Sequence, residues 1–570
     1  MKNQELTKIF DYIADILEIK GDNLFRIRAY RRAARNIENL GEEIEKIIKD
    51  GAVDDIPGIG EDLAEKIKEY VSTGKMWFYE KLKKSIPKLA LDLMAVPGVG
   101  PKTAKILCDR LKAKSIKELE KYLSQGRLKN IPGLREKKIA NILKGIKFIR
   151  KSEHKIPLGE AFRISEEIIS RLKKLGEIEK ITAAGSLRRM KETIRDIDIL
   201  IASLKPQKVI ENFTALPEIK QVASRGKTKS TVITKDDVQI DMRVVRPQSF
   251  GSALCYFTGS KNHNIRLRKM AVAKGLKMNE YGIFEIRTNK KIAGKNEESV
   301  YSALGLAYIP PEMREDKGEI ELARGHNIPR LLELEDIKGD LHVHSDSSDG
   351  MLKFEDIALI CREIGYEYVV ITDHSKSLRI AGGLSEKELF TNIKKVRKIN
   401  KKTGIRLLIG SEVDILDNGR LDYGNNVLKE LDFAIAAIHS GFRESKDKLT
   451  YRFLKAIESK FVNMIAHPTG RLMGVRDAYE IDLDKILKTA RDANVAVEIN
   501  AFPARLDLDD NASHRAKELG VTIGISTDTH TRKNFGNMFF GVGVARRAWL
   551  EKKDVLNTLS LADFLKKIRK

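Results

Sequence analysis

Three aspartates stand where two short apolar runs would bring them together. In RDIDIL, Asp196 and Asp198 alternate along a stretch that reads as a β-strand, so both side chains project from one face. Asp241, in VQIDMRVV, lies on a second strand and can face that pair. Three convergent carboxylates can hold two Mg²⁺ ions, one activating a 3′-hydroxyl and the other binding a nucleoside triphosphate. Gly185 and Ser186 form a turn whose N–H and hydroxyl groups suit phosphates, and Arg189 adds positive charge. A DxD on a strand can equally be a solvated edge, so this pattern alone leaves both readings open.

A second set of chemistry-bearing residues is carried by histidine. Seven of the ten histidines lie after residue 340. Six of those seven end apolar strand-like runs: His342 and His344 in DLHVHS, His374 in ITDHS, His439 in AAIHS, His467 in MIAHP and His530 in TDTH. Asp349, Glu412 and Asp528 share those positions. A lone histidine is usually a satisfied structural residue, but six at equivalent places in a repeating pattern are poorly explained by packing. Nine such ligands suffice for three metal ions, with Glu412 able to bridge. Nitrogen and oxygen donors without sulfur suit Mn²⁺ or Zn²⁺. Such a cluster deprotonates a bound water and clamps a phosphate, giving phosphoester hydrolysis. His514, in ASHRAKELG, falls on a helix and reads as a surface residue or a partner contact.

A third signal is a repeat. IPGIGEDLAEKI begins at residue 56, VPGVGPKTAKIL at 96 and a weaker IPGLREKKIANIL at 131. Each is a Pro-Gly turn opening a helix. Gly58 and Gly60 in the first copy, and Gly98 and Gly100 in the second, allow a tight turn that points N–H groups at a backbone phosphate. This is the helix-hairpin-helix pattern, a grip on DNA that does not read sequence. In the third copy Arg135 replaces a glycine.

Elements must position these groups, and the length of 570 residues calls for several domains. Residues 1 to about 150 show helical periodicity, and from about 180 the texture turns to short β-rich runs among helices. After residue 340 apolar strands alternate with helices, implying a parallel sheet or β/α barrel whose strand ends carry the histidines. No apolar stretch approaches the roughly 20 residues of a membrane span. The N-terminus, an amphipathic helix pattern, lacks the apolar core of a secretory signal, so a cytoplasmic location is expected. Cys108, Cys255 and Cys361 are scattered, which argues against a disulfide framework or a thiolate metal site. The net charge of +24 agrees with a polyanionic partner without choosing one. No oligomer interface is legible, and the chain reads as a monomer.

The stretch GSLRRMKETIRDIDIL resembles family X DNA polymerases of the DNA polymerase beta kind, which share the GS turn and the DxD. SFGSALCYFTGSKNHNIRLRKMAVAKGLKMNEYGIF resembles the thumb of that family. The likeness implies that Tyr256 and Phe257 bound the nucleotide sugar, that Gly259 lies against it, and that Asn264 and Arg268 touch the nascent base pair. Some members carry a lyase lysine in the small N-terminal domain, and Lys66 falls at that place. Asp62, one helical turn earlier, opposes the uncharged amine that Schiff-base chemistry needs, so Lys66 reads rather as a phosphate or surface contact. HVHSDSSDG, ITDHS, GSEVDIL, AAIHS, IAHP and STDTH together resemble the PHP family of polymerases and histidinol phosphatase, with all nine ligand positions kept. That implies a metal-dependent 3′–5′ exonuclease, with 3′-phosphatase and abasic-site endonuclease as further activities.

The expected fold is an all-α helix-hairpin-helix region, an α+β nucleotidyltransferase palm and thumb, and a distorted TIM-like β/α barrel. Expected boundaries are 1–85 and 86–150 for two helical domains, 151–248 for the palm, 249–315 for the thumb, 316–337 for a linker and 338–570 for the barrel. The function read is filling of gapped or nicked DNA from dNTPs, with 3′-end cleaning in the barrel. Two rivals are a nuclease whose polymerase half only binds DNA, and a small-molecule phosphatase tethered to a polymerase.

Overall fold

A computed structural model describes residues 2–111 apart from 39, 41–42, 57, 87–88, 91–92, 94–98 and 100, then 118–119, 122 and 155–569. The chain forms two compact units: Met1–Lys155 with Ile233–Gln239 and Asn264–Ala293, and Ile156–Val232 with Ile240–His263 and Gly294–Lys570.

The first unit begins with helices α1 (Lys2–Lys20), α2 (Leu24–Glu38), α3 (Ile44–Lys49), α4 (Glu61–Thr73) and α5 (Trp77–Lys84). Leu6, Phe10, Ile13 and Leu17 recur at helical spacing on α1 and bury against Tyr30, Ala33 and Ile37 of α2. Phe10 meets Tyr30 edge-on at 5.5 Å, a contact worth about 1 kcal/mol beyond its buried area. Gly58, in the turn before α4, has φ +77°, and a β-carbon there would fall 2.6 Å from Arg32 Cδ. Gly60 caps the N-terminus of α4, which buries Leu63, Ala64 and Ile67. A further helix, α6, spans Pro101–Leu111. Gly98, Gly100 and the third repeat copy lie outside the described residues. The same unit holds a three-stranded antiparallel sheet of β6 (Leu276–Asn279), β7 (Gly282–Glu285) and β8 (Lys291–Ala293), with β7 central. Its first turn is set by Asn279, whose Oδ1 accepts from the Tyr281 and Gly282 amides.

In the second unit α7 (Leu158–Leu172) buries Leu158, Ala161, Ile164, Ile168 and Leu172 on one stripe. Five strands form the central sheet in the order β1-β2-β5-β4-β3: β1 (Lys180–Ala183), β2 (Asp196–Ala202), β3 (Ile219–Arg225), β4 (Lys229–Thr234) and β5 (Gln239–Val245). On β2 the burial alternates at its start, with Asp196 and Asp198 half-buried on either side of buried Ile197. Helices α8 (Gly185–Arg188) and α9 (Phe250–Thr258) follow in the chain, and α10 (Lys261–Ala273) belongs from Asn264 onward to the first unit.

The C-terminal part is a nearly closed barrel of seven parallel strands in sequential order: β9 (Gly339–Val343), β10 (Tyr368–Ile371), β11 (Arg406–Asp414), β12 (Phe433–Ala437), β13 (Val462–Ile465), β14 (Ala496–Asn500) and β15 (Ile523–Ser526). Every neighbouring pair is parallel. A parallel bridge from Val343 to Thr529 ties the last strand to the first. Strands buried on both faces explain the continuous apolar runs, such as YVVI and FAIAA.

The segment 316–337, expected as a linker, is packed. It contains α11 (Glu319–Arg324), and Glu319 is wholly buried while accepting from the Asp316 and Lys317 amides and from His263 Nδ1. Six residues are too few to show helical periodicity in sequence.

Candidate active sites

β2 and β5 are sheet neighbours, which sets Asp196 and Asp198 beside Asp241. Burial first, then the charges of Asp196 and Asp241, push the Asp198 carboxyl up to about 7, against the pull of Arg189 and Lys229. Mutual repulsion of this kind is relieved by a cation, so the carboxylates fit a metal-binding role. Asp241 Oδ1 accepts from Thr231 Oγ1 at 2.5 Å. A cavity of about 120 Å³ beside the aspartates is lined by Asp198, Asp241, Lys229, Arg243 and Phe257.

Gly185 opens α8 at φ +60° against Asp198, and Ser186 follows it in the same short helix. Arg189 is held: its Nε lies 3.0 Å from Glu315, it donates to the Thr258 carbonyl, and its own carbonyl accepts from Arg547 at 2.7 Å. Arg188 forks onto Glu297 with bonds of 2.9 and 2.6 Å. Burial would raise Glu297, but Arg188 and Arg314 hold it down at about 2. Tyr256 and Phe257 meet edge-to-face at 5.2 Å near the end of α9, and Gly259, at φ +71°, packs beside the Arg189 guanidinium. Asn264 and Arg268 stand on one face of α10, in the first unit. Also there, Lys66 pairs with Asp62 and lies 5.1 Å from the centroid of the Phe78 ring.

The histidines converge at the barrel's C-terminal rim. Three groups have ligand atoms all within 4.8 Å of one another: His344, Asp349, His374 and His530; His342, His344 and Asp528; and His374, Glu412 and His439. They are the groups of this closeness among the described residues, and the three aspartates of the central sheet are not among them. Glu412 sits at the hub, its oxygens 2.8 Å from His467 Nε2, 2.9 Å from His374 Nδ1 and 3.1 Å from His439 Nε2. His342 Nε2 and His344 Nε2 face each other at 3.1 Å, and His344 Nδ1 and His467 Nδ1 are buried without a hydrogen-bond partner. Facing imidazole nitrogens and orphaned buried ones are what metal ions satisfy, so the donor set fits them. Burial would lower His374 and His439, but Glu412 above all carries them up to about 10 and about 9. His344, buried and beside His374, falls to about 4. His467 and Asp528 adopt left-handed φ values of +25° and +53°, a strained backbone of the kind found where ligands are aimed.

With both clusters placed, the chain can be set beside known proteins. Residues 1–76 match a helix-hairpin-helix domain, 90–147 a SAM-like helix-hairpin-helix tandem, 253–315 the DNA polymerase beta thumb, and 340–502 the PHP domain. The DNA polymerase/3′-5′ exonuclease PolX of Bacillus subtilis (strain 168) is 38% identical over 576 residues, covering 100% of both chains. The chain belongs to the PolX family. A "Probable phosphatase" of Thermoanaerobacter sp. (strain X514) is 30% identical over 232 residues, 38% of this chain and 89% of that protein. Another, of Caldicellulosiruptor bescii, is 30% identical over 206 residues, 35% of this chain and 81% of its own length.

Behind the clustered histidines and carboxylates stand residues that the sequence reading passed over. Glu498, wholly buried on β14, accepts from His342 Nδ1 at 2.8 Å, from the His467 amide at 2.5 Å and from Ser526 Oγ at 2.5 Å. Asp414 accepts from His439 Nδ1 at 2.6 Å, and the Asp528 carbonyl accepts from His530 Nδ1 at 2.8 Å. In each case the bond at Nδ1 leaves Nε2 turned toward a cluster carboxylate. Asp373 gathers the Ser345 amide and the hydroxyls of Ser345 and Ser348, folding the SDSSDG loop onto the site. A signal for Glu498 existed: a carboxylate set between the apolar Ala496, Val497 and Ile499 of the strand AVEIN.

Proposed function

We propose that this PolX-family chain fills short gaps in DNA with dNTPs and cleans 3′ ends in its barrel, as a DNA polymerase and a 3′–5′ exonuclease on one polypeptide. The observation that carries the reading is the presence of two chemically different clusters in one chain: three carboxylates on adjacent strands, and at a barrel rim eight residues in three close groups with His467 against their hub, Glu412. In the central site Asp196, Asp198 and Asp241 would hold Mg²⁺, which supplies Lewis-acid activation of the primer 3′-hydroxyl and of the triphosphate. Gly185 and Ser186 offer the phosphate-facing turn, Arg189 the charge, and Tyr256 and Phe257 the wall for the sugar. Asn264 and Arg268 are assigned to the nascent base pair.

In the barrel, His342, His344, Asp349, His374, Glu412, His439, His467, Asp528 and His530 would hold Mn²⁺ or Zn²⁺, which supply an acidified water and a clamp on phosphate. Glu498 and Asp414 keep Nε2 of His342 and His439 turned inward. The likeness to phosphatases over this part supports removal of 3′-phosphates, and abasic-site cleavage is carried over from the resemblance to the PHP family. The turn at Gly58 and Gly60, and the second sequence copy that carries Gly98 and Gly100, would grip the DNA backbone beside a gap. The test is a 5′-labelled primer on a one-nucleotide gap with a downstream 5′-phosphate, given Mg²⁺ or Mn²⁺, with and without dNTPs. Extension with dNTPs and shortening without them is the expected result. Shortening alone would reduce the polymerase half to a DNA-binding platform.

A further inference from the structure

Two loops that leave the metal-ligand strands build a groove the function above does not use. The loop after His439 carries Phe442 and Arg443, and the loop after His467 carries Leu472, Val475, Arg476 and Tyr479. Together they line a cavity of about 700 Å³, within the usual size of a ligand site. The second loop is stiff: Leu472 and Arg476 bridge each other, and the Met473 amide donates to the Ala504 carbonyl at 2.7 Å.

The lining joins aromatic rings to guanidinium groups. Arg476 lies 3.9 Å from the centroid of the Phe442 ring, fixed there by its Nε donating to the Gly470 carbonyl at 2.8 Å. Phe442 and Tyr479 are nearly parallel, 13° apart with centroids 6.1 Å apart. The Tyr479 hydroxyl is buried without a hydrogen-bond partner, and Val475 at the rim is 79% exposed. From Arg476 the positive charge continues inward: burial and then the neighbouring charge of Arg505 lower the Arg476 pKa. Arg505 Nε lies 3.4 Å from Asp528 of the metal cluster, and its NH1 is buried without a hydrogen-bond partner. Asp477 is the acidic residue on the groove wall, and it is exposed.

A row of ring, guanidinium and guanidinium that ends at a phosphoesterase centre has the chemistry of a seat for a nucleotide strand: planar groups for a base, charge for its phosphate. We infer that the Phe442–Arg476 pair is the stacking seat for the 3′-terminal base of single-stranded DNA, with Arg505 drawing the adjoining phosphodiester to the metal centre. This rests on the exonuclease reading and gives that site its substrate handle: Arg476 and Phe442 are already in contact, so the base lies on the open face of the pair, which it can do only once unstacked from its own neighbours.

The test uses full-length Phe442→Ala, Arg476→Ala and Phe442→Trp proteins on a single-stranded oligonucleotide ending in a normal or an abasic 3′ nucleotide. For the normal end, KM for shortening should rise by about tenfold in both alanine variants, the scale of one lost base stack, and Phe442→Trp should restore it. On the abasic end wild type and the alanine variants should have equal KM, and primer extension by all three should match wild type. Equal losses on both ends, or no loss at all, would overturn the seat. Binding is read separately by 2-aminopurine at the 3′ terminus, with EDTA to prevent hydrolysis. Quenching by wild type and not by Phe442→Ala supports the seat; equal quenching removes it. A wild type that shortens no DNA would remove the exonuclease reading while this binding result still decides the seat.

Discussion

Gly185 lies so close to Asp198 that a β-carbon at residue 185 would overlap the carboxylate. The φ of +60° adds a second reason for glycine, since an L side chain in the left-handed region costs about 1 kcal/mol or more. The first prediction follows from the collision. Gly185→Ala should displace Asp198 and lower gap-filling synthesis at least a hundredfold, while 3′ shortening by the barrel stays within twofold of wild type. Single-turnover extension with a parallel exonuclease assay measures both. Normal synthesis by this variant would mean that the carboxylate does not need its present place.

Two clusters built from different strands should fail separately. Asp198→Ala is expected to abolish synthesis and leave 3′ shortening, and His344→Ala to do the reverse. Joint loss of both activities in either folded variant would contradict two independent sites. His344, like His374, belongs to two of the three close groups, so its loss should disturb both.

How much of this was legible in the sequence depends on whether a residue's partner lies near it in the chain. Strand alternation exposed Asp196 and Asp198, and the histidines announced themselves by ending apolar runs, because a parallel barrel puts strand ends on one rim. Glu498 stood out only as a carboxylate among apolar strand residues: its meaning comes from His342, 156 residues away. Arg189 was legible as a charge, but its pairing with Glu315 spans 126 residues and sets where the guanidinium points. The segment 316–337 read as a linker because its helix has six residues, short of two turns.

Asp198 also predicts a pH dependence. Burial, with Asp196 and Asp241, raises its carboxyl from 3.8 to about 7, so the folded metal-free chain favours the protonated form. A raised folded pKa contributes stability that is full below the unfolded value near 4 and is lost as pH climbs through 7. Mg²⁺ must displace that proton, so the Mg²⁺ concentration for half-maximal synthesis should rise about tenfold for each pH unit below 7 and level off above it. Magnesium titrations of extension at pH 6, 7 and 8 check this. A requirement independent of pH would show that Asp198 is already ionised when the metal arrives.

Glu498 carries the last prediction. It touches no substrate on this reading; it positions, holding His342 through Nδ1 and the His467 loop through the backbone amide. Glu498→Gln keeps the shape but presents an NH₂ to at least one donor that now meets a carboxylate oxygen. The expected loss is about 10- to 100-fold in barrel metal affinity, the usual cost of removing a partner behind a ligand histidine. Exonuclease activity should fall at low Mn²⁺ and recover as Mn²⁺ is raised, whereas a change confined to protein stability would not shift the metal dependence. Synthesis in the central site should be unchanged. Metal-binding titration beside both assays decides the matter: an unaltered Mn²⁺ affinity with full exonuclease activity would reduce Glu498 to a packing residue.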